Sequence, residues 1–386
     1  MIKKFTIDSF KSVESAELDL GSINVLIGAN GSGKSNLLEA FGVLAAAASG
    51  RVDTESLVWR GCRPGGFYRP LFAGSRPEAQ TLLAAEGYRA FYSVNLANPA
   101  PYPVPVGWEF RDEVLKRNGK VIVDRKEEGA ARKGDPRSGL AALRLVEMPV
   151  EDDAALLLKS LAAFCLYTPD TPVLRGLRQD PQTRQPVGLS GGRLAEAIFE
   201  VMRDPQTGDQ VDAQLRATVD WFGALGTSDF PNGPGRDVLF KDRFIAPIDN
   251  RLQMFGPNEV SEGVLYMLFL AVLCLHPAAP PLFALDNADH GLNPVLAKRL
   301  VEAMCRWLLE RNPPRQVLMT THNPLVLDGL ALEDDHIRLF LVDRDNRGTT
   351  QVRRFVVTDQ HREMASKGWT LSRMWINGLI GGVPNV

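Results

Sequence analysis

The sequence predicts an α/β fold built on a parallel sheet, with an antiparallel β region inserted early and a helical lobe in the middle. Three observations carry that prediction. An apolar strand, Ile23 to Ile27, runs straight into the glycine-rich loop Gly28-Ala29-Asn30-Gly31-Ser32-Gly33-Lys34-Ser35 and then into a helix rich in Leu and Ala. From Glu259 to Leu341 a long apolar helix, a buried strand, a second helix and a second buried strand alternate, the order expected of parallel strands joined by crossover helices. Between these two ends, residues 51–150 show short β-type runs and residues 151–235 show helical patterns.

Taken in order, Phe5 and Ile7 alternate with polar neighbours, as do Ala16, Leu18 and Leu20, so two half-buried strands open the chain. Asn36 to Ala48 reads as a helix stopped by Gly50. Phe91 to Val94 and Val121 to Val123 read as strands of the inserted region. The stretch Arg111 to Arg144 mixes both charge signs and reads as a solvated hairpin face in preference to a DNA contact. Ala154 to Leu166 and Leu194 to Met202 read as helices of the lobe, and Pro231-Asn232-Gly233-Pro234-Gly235 breaks the chain before the core resumes. A hairpin is expected from Ile337 to Val357. The expected division is a core of 1–50 and 236–386, a β region of 51–150 and a helical lobe of 151–235.

Composition narrows the class of protein. With 45% apolar and 23% charged residues in 386, the chain can bury a full core. Its 44 Lys and Arg nearly balance 46 Asp and Glu, which argues against a wholesale nucleic-acid coat and leaves room for a local basic face. Cys62, Cys165, Cys274 and Cys305 form no CxxC pair, so neither a zinc site nor a disulfide framework is expected, in keeping with a reducing cytoplasm. The start, MIKKFTIDSF, lacks the apolar run of a secretory leader, and the longest apolar stretch, Gly263 to Leu275, is too short to cross a bilayer. A cytoplasmic protein without membrane contact is the expectation.

Four elements carry chemistry. Gly28 to Ser35 fits G-x-x-x-x-G-K-[ST] in full. Its glycines let the backbone amides of Gly28, Asn30, Gly31, Ser32 and Gly33 turn inward onto phosphate oxygens, and the helix that follows adds its positive end. Lys34 would reach the β- and γ-phosphates, Ser35 would ligate magnesium, and Asn36 is counted with the nucleotide contacts. ATP and Mg2+ are the ligands this predicts. Pro281 to Asp286 is a buried strand ending in a carboxylate, the arrangement that holds the magnesium shell opposite such a loop. His322 ends a third apolar strand, Gln316 to Thr321, where an imidazole can contact a γ-phosphate.

The fourth element has two candidates. Leu189-Ser190-Gly191-Gly192-Arg193 has the spelling of a signature loop but lies 96 residues before Asp286, counted from Ser190. Ser261, in Val260-Ser261-Glu262-Gly263-Val264, lies 25 residues before it, room for a single helix that aims its N-terminus at a phosphate. Spacing selects Ser261 and Gly263, and leaves Ser190 as a helix cap.

Together these residues resemble the ABC-type ATPases of the RecF, SMC and overcoming-lysogenization-defect group, and among them the stand-alone ATPases of phage-defence gene pairs. Phe10-Lys11-Ser12 with the loop, Ser261 to Pro324, and Gly291-Leu292-Asn293-Pro294 carry the resemblance, while residues 51–240 match only loosely. It implies an ABC-type ATPase head and a nucleotide-dependent homodimer or higher assembly in which Ser261 and Gly263 contact the γ-phosphate held by the partner subunit. It also implies a switch that controls a protein effector, with a DNA-repair or chromosome-maintenance ATPase acting on DNA as the alternative. One position departs from the pattern. Where the family carries a Glu to polarise the attacking water, this chain has Asn287, whose amide orients water but accepts no proton. Asp289 is the candidate substitute, and slow hydrolysis, or a nearly inactive nucleotide-binding scaffold, is the expected consequence.

Overall fold

The computed structural model describes residues 1–63, 80–97, 107–125, 135–229, 235–247, 252–289 and 291–381. Strands β1 (Lys4–Phe10) and β2 (Val13–Asp19) form an antiparallel hairpin, and β3 (Ile23–Ile27) leads through the glycine loop into helix α1 (Lys34–Ala48). Helix α2 (Thr54–Trp59) starts from Asp53, whose side chain accepts the Ser56 amide in a capping box. Next come β4 (Thr81–Glu86), β5 (Ala90–Ala97), β6 (Glu109–Arg117) and β7 (Lys120–Asp124). These four pair antiparallel, and β4 also pairs with β1, giving one six-stranded sheet ordered β2-β1-β4-β5-β6-β7. The inserted strands therefore extend the N-terminal hairpin instead of forming a sheet of their own.

The short α3 (Leu140–Arg144) and α4 (Asp153–Ala162) follow, then β8 (Cys165–Tyr167), α5 (Thr171–Leu174), α6 (Leu194–Arg203) and α7 (Pro205–Thr218). Here the structure corrects the sequence reading. The apolar run Ala154 to Leu166 is not one helix, because α4 ends at Ala162 and β8 turns away to pair parallel with a core strand. A short, unbroken apolar run has no periodicity that separates a buried strand from a buried helix. Residues 151–235 are likewise not purely helical, since β9 (Phe222–Asp229) pairs with β10 (Arg236–Asp242), which pairs with β11 (Met254–Phe255). That small sheet crosses the expected boundary at 235. Residues 231–234 of the Gly/Pro-rich break lie outside the described residues, as do 126–134 of the mixed-charge stretch. Elsewhere in that stretch Arg111 pairs with Glu109 at 2.9 Å and Arg144 with Glu147 at 2.7 Å.

The remaining elements build the core: α8 (Glu262–Leu275), β12 (Leu282–Leu285), α9 (Pro294–Leu309), β13 (Gln316–Thr320), β14 (Ile337–Arg344), β15 (Thr350–Phe355), α10 (Asp359–Ser366) and α11 (Leu371–Ile376). The core sheet is ordered β15-β14-β3-β13-β12-β8, parallel throughout except for the β14–β15 hairpin. Side chains alternate across it. Ile23, Val25, Ile27, Phe283, Leu285, Val317 and Met319 pack with α8 and α9, whereas Leu26, Leu282, Ala284 and Leu318 face α1 and the antiparallel sheet. Burial on both faces explains why these strands read as continuous apolar runs. On α1, Phe41 stacks on Phe5 with ring centroids 3.6 Å apart. Helix α8 is apolar all round because it is enclosed, with every residue from Gly263 to Leu275 buried. Among the described residues no helix is long and apolar enough to cross a membrane.

Because β3, β12 and β13 run parallel, their carboxyl ends open on one edge, and that edge receives the glycine loop, Asp286 and His322. Open α/β sheets bind ligands there. The enclosed α8 gives a direct stability test. Truncating the fully buried Leu268 in Leu268→Ala should lower the unfolding free energy by about 2–5 kcal/mol, read by chemical denaturation. A loss below about 1 kcal/mol would show that α8 is not packed as described.

Candidate nucleotide-binding site

The loop between β3 and α1 needs glycine on steric grounds. Gly28 lies so close to β14 that a Cβ would sit 2.0 Å from the Val342 carbonyl oxygen, and Gly33, at φ 109°, would place one 2.1 Å from Thr350 Oγ1. Around Gly31 the space is open, with no heavy atom within 4 Å of a built Cβ. Ser32 Oγ is buried without a hydrogen-bond partner. Lys34, only 5% exposed, folds back so that Nζ donates to the Gly28 and Ala29 carbonyls at 2.8 and 2.9 Å. Burial, its largest influence, lowers the Lys34 pKa to about 8, against the opposing pull of Asp286 and Asp289. An open cradle, an unpartnered hydroxyl and a desolvated ammonium suit an incoming phosphate.

Asp286 follows β12, and Thr320 at the end of β13 donates its hydroxyl to Asp286 Oδ1 at 2.6 Å. The same Thr320 oxygen accepts the Asn287 amide at 2.8 Å. One threonine thus fixes both the carboxylate and the residue after it. Asn287 is exposed and left-handed, at φ 55°, a conformation that Asn tolerates better than most residues. Asp289 acts on Lys34, on His322 and on the buried Tyr266 hydroxyl, and its Oδ1 is buried without a partner, as is the Tyr266 oxygen. The His322 pKa is lowered, first by burial and then by Lys34, with Asp289 and Asp286 pulling the other way. Lys34, Asp286, Asp289 and His322 therefore share one electrostatic site.

Ser35 is half-buried in the first turn of α1, and among the described residues its hydroxyl bonds to no protein group. Ser35 and Asp286 fit Mg2+, which binds through one or two hard oxygens of the protein and takes the rest of its shell from phosphate and water. Among the described residues there is no cluster of three or more His, Cys, Asp or Glu side chains able to hold a metal unaided.

Ser261 stands exposed at the N-cap of α8 with no side-chain capping bond, and Gly263 is buried against α9, where a Cβ would lie 2.7 Å from Leu296 Cδ2. No hydrogen bond among the described residues joins Ser261 to the P-loop. Two residues of α5 and its cap hold this segment: Arg175 donates to the carbonyls of Asn258 and Val260 at 3.2 and 3.1 Å, and Thr171 donates to Glu262.

One expectation is corrected. Ser190 is not a cap, since α6 begins from Arg193. The amides of Ser190 and Gly192 instead clasp Asp180 Oδ2 at 2.9 and 3.0 Å, so that loop already holds an anion of its own chain. The side chain of Asn36, a residue counted with the nucleotide contacts, is engaged within the protein, with Nδ2 donating to Ser12 Oγ at 2.7 Å and Oδ1 accepting from Arg63 at 3.3 Å. Sequence reasoning also missed Thr320, Thr350 and Arg175. Thr320 adjoins the histidine motif and could have been flagged by its place at a strand end; the other two have no local signal.

The lowered Lys34 pKa makes nucleotide binding a proton-linked step. Above about pH 8 the free protein holds Lys34 increasingly neutral, and a polyphosphate raises its pKa again. ATP affinity should therefore fall as the pH rises through that value. Calorimetry near pH 8.5, in buffers of different ionisation enthalpy, should detect proton uptake on ATP binding. Binding heats that do not depend on the buffer would contradict the assignment.

Residues 1–67 match the family described as "AAA ATPase domain", and residues 224–328 match the family described as "AAA domain, putative AbiEii toxin, Type IV TA system". A DNA replication and repair protein RecF from Paenarthrobacter aurescens is 40% identical over 60 residues, which span 15% of this chain and 15% of that protein. Among solved structures, an Smc head bound to the C-winged helix domain of ScpA superposes with a TM-score of 0.55 at 13% identity, covering 93% of this chain and 99% of that one. An Smc head with an extended coiled coil, bound to the C-terminal domain of ScpA and derived from Pyrococcus furiosus, gives 0.51 at 12% identity, covering 95% and 99%. At such identities these structures show the fold. With the glycine loop, strand-end aspartate and histidine strand on one sheet edge, the chain has the α/β fold of an Smc head and carries two segments similar to AAA ATPase domains.

Proposed function

We propose that this protein is an ATP-binding switch that pairs two heads around nucleotide, hydrolyses it slowly and controls a partner effector in anti-phage defence. The observation that carries the reading is Asn287: a site otherwise equipped with Lys34, Ser35, Asp286 and His322 has an amide where a proton-accepting carboxylate is expected. Bound Mg2+ would neutralise phosphate charge and polarise the γ-phosphoryl oxygens. The chain's own residues would divide the remaining work. Loop amides and Lys34 bind the phosphates. Ser35 and the Thr320-oriented Asp286 hold the metal shell, Asn287 orients water, and Asp289 is the carboxylate available to take its proton. His322, largely neutral near pH 7, can donate to an anion on the same edge.

Pairing of heads is supported by Ser261, whose uncapped, exposed hydroxyl at the start of α8 is free to reach a phosphate on a second copy. The defence reading draws on the AbiEii description of the family matched at residues 224–328, and a protein partner is in keeping with the ScpA domains seated on the Smc heads. A second reading, an ATPase acting on DNA in repair, is favoured by the local identity to a RecF protein. Binding to gapped or blunt DNA that requires ATP and falls steeply with salt would select it.

Three variants test the switch. Lys34→Ala should lose ATP binding and remain monomeric by light scattering. Ser261→Glu should bind ATP with normal affinity yet fail to dimerise, because its carboxylate would face the phosphate of the second copy. Asn287→Asp keeps a residue tolerant of the left-handed backbone and adds a base, so turnover should rise by on the order of tenfold to a hundredfold. A wild-type protein that neither binds ATP nor changes its assembly with it would end the proposal.

A further inference from the structure

The Phe10-Lys11-Ser12 turn and the β14–β15 hairpin, the latter far from the loop in sequence, both close on it. Asn36 Nδ2 donates to Ser12 Oγ at 2.7 Å, Ser12 Oγ and Thr350 Oγ1 are 2.7 Å apart, and Thr350 Oγ1 donates to the Ser32 carbonyl at 2.8 Å. The polarity of this row is determined at both ends. An amide nitrogen can only donate, and Arg63 on Asn36 Oδ1 fixes which way that amide faces. A carbonyl can only accept. Ser12 must therefore give its proton to Thr350, and Thr350 must give its own to Ser32. Thr350 is fully buried and Ser12 is 2% exposed, so water offers no substitute partners. The turn itself is pinned at both sides: the Thr350 amide donates to the Ser12 carbonyl at 2.7 Å, and Lys11 is paired with the buried Glu39 of α1.

The Ser32 carbonyl and the Gly33 N–H belong to one planar peptide and point in opposite directions. Holding the carbonyl outward on Thr350 directs the Gly33 N–H inward, toward the place where the nucleotide reading puts a phosphate. The close approach confirms which residue does the holding, since a Cβ on Gly33 would strike Thr350 Oγ1 at 2.1 Å. We infer that Ser12 and Thr350 are positioning residues for nucleotide binding, a buried hydroxyl relay that sets the orientation of the Ser32–Gly33 peptide. The inference rests on the nucleotide reading of the loop and adds to it two residues that touch no ligand. A threonine hydroxyl is required for its donated proton, and a shape-matched valine would leave the Ser32 carbonyl without its side-chain donor and the Ser12 proton without an acceptor.

The test is ATP affinity of the full chain, measured with a fluorescent ATP analogue, beside the melting temperature of the free protein. Thr350→Val should weaken binding about fivefold to tenfold, the loss of roughly one hydrogen bond's worth of orientation. Thr350→Ser should bind like wild type, and kcat at saturating ATP should stay near the wild-type value in both. Ser12→Ala should weaken binding severalfold, and the double variant Ser12→Ala/Thr350→Val should lose little more than Thr350→Val alone, since both break one row. A folded Thr350→Val with wild-type affinity, or a Thr350→Ser as weak as Thr350→Val, overturns the relay. If Thr350→Val does not fold, Ser12→Ala decides, and wild-type affinity in that variant overturns it equally. Lys34→Ala separates the two failures: a relay failure leaves wild type binding and Lys34→Ala not binding, whereas a wild type that does not bind ATP removes the nucleotide reading and the relay's role with it.

Discussion

The rest of the site is arranged around one buried ammonium. Lys34 begins α1 almost entirely shielded from water, bonded to two carbonyls of its own loop. Desolvating a cation is costly, and here the cost is visible as a pKa brought down to about 8. Two aspartates on the neighbouring loop, Asp286 and Asp289, partly offset it from across the cleft. A ligand carrying several negative charges offsets it further, by replacing weak carbonyl dipoles with full charges. The same desolvation that disfavours the free state thus favours phosphate over neutral ligands.

That arrangement constrains the backbone on both sides. The loop must curl tightly enough for its amides to converge, so Gly28 and Gly33 are pressed against Val342 and Thr350, where no side chain could fit. On the opposite side, Thr320 serves Asp286 and Asn287 with one oxygen, which ties the carboxylate at the end of β12 to the residue after it. The left-handed backbone at Asn287 gives a local reason for asparagine there. A glutamate in that conformation would carry strain of about 1–3 kcal/mol.

Sequence by itself determined the parts whose physics is local. The P-loop spelling, the strand before it and the helix after it need only neighbouring residues, and Ile23–Ile27 came out with its bounds unchanged. The strands ending at Asp286 and near His322, the enclosed helix α8, and the β14–β15 hairpin were legible from apolar runs and their lengths. Only the tertiary structure decided the rest. Strand β8 hid inside an apolar run that served a helix equally well, and the joining of β4–β7 to β1 depends on edge hydrogen bonds between distant segments. Ser190 had the right letters, but Asp180 fills its amides. Asn36 turns its side-chain amide to Ser12. Thr350 reaches Ser32 across 318 positions of chain. No window of sequence contains such a contact, because it exists only once packing has brought two chain segments together and excluded the water between them.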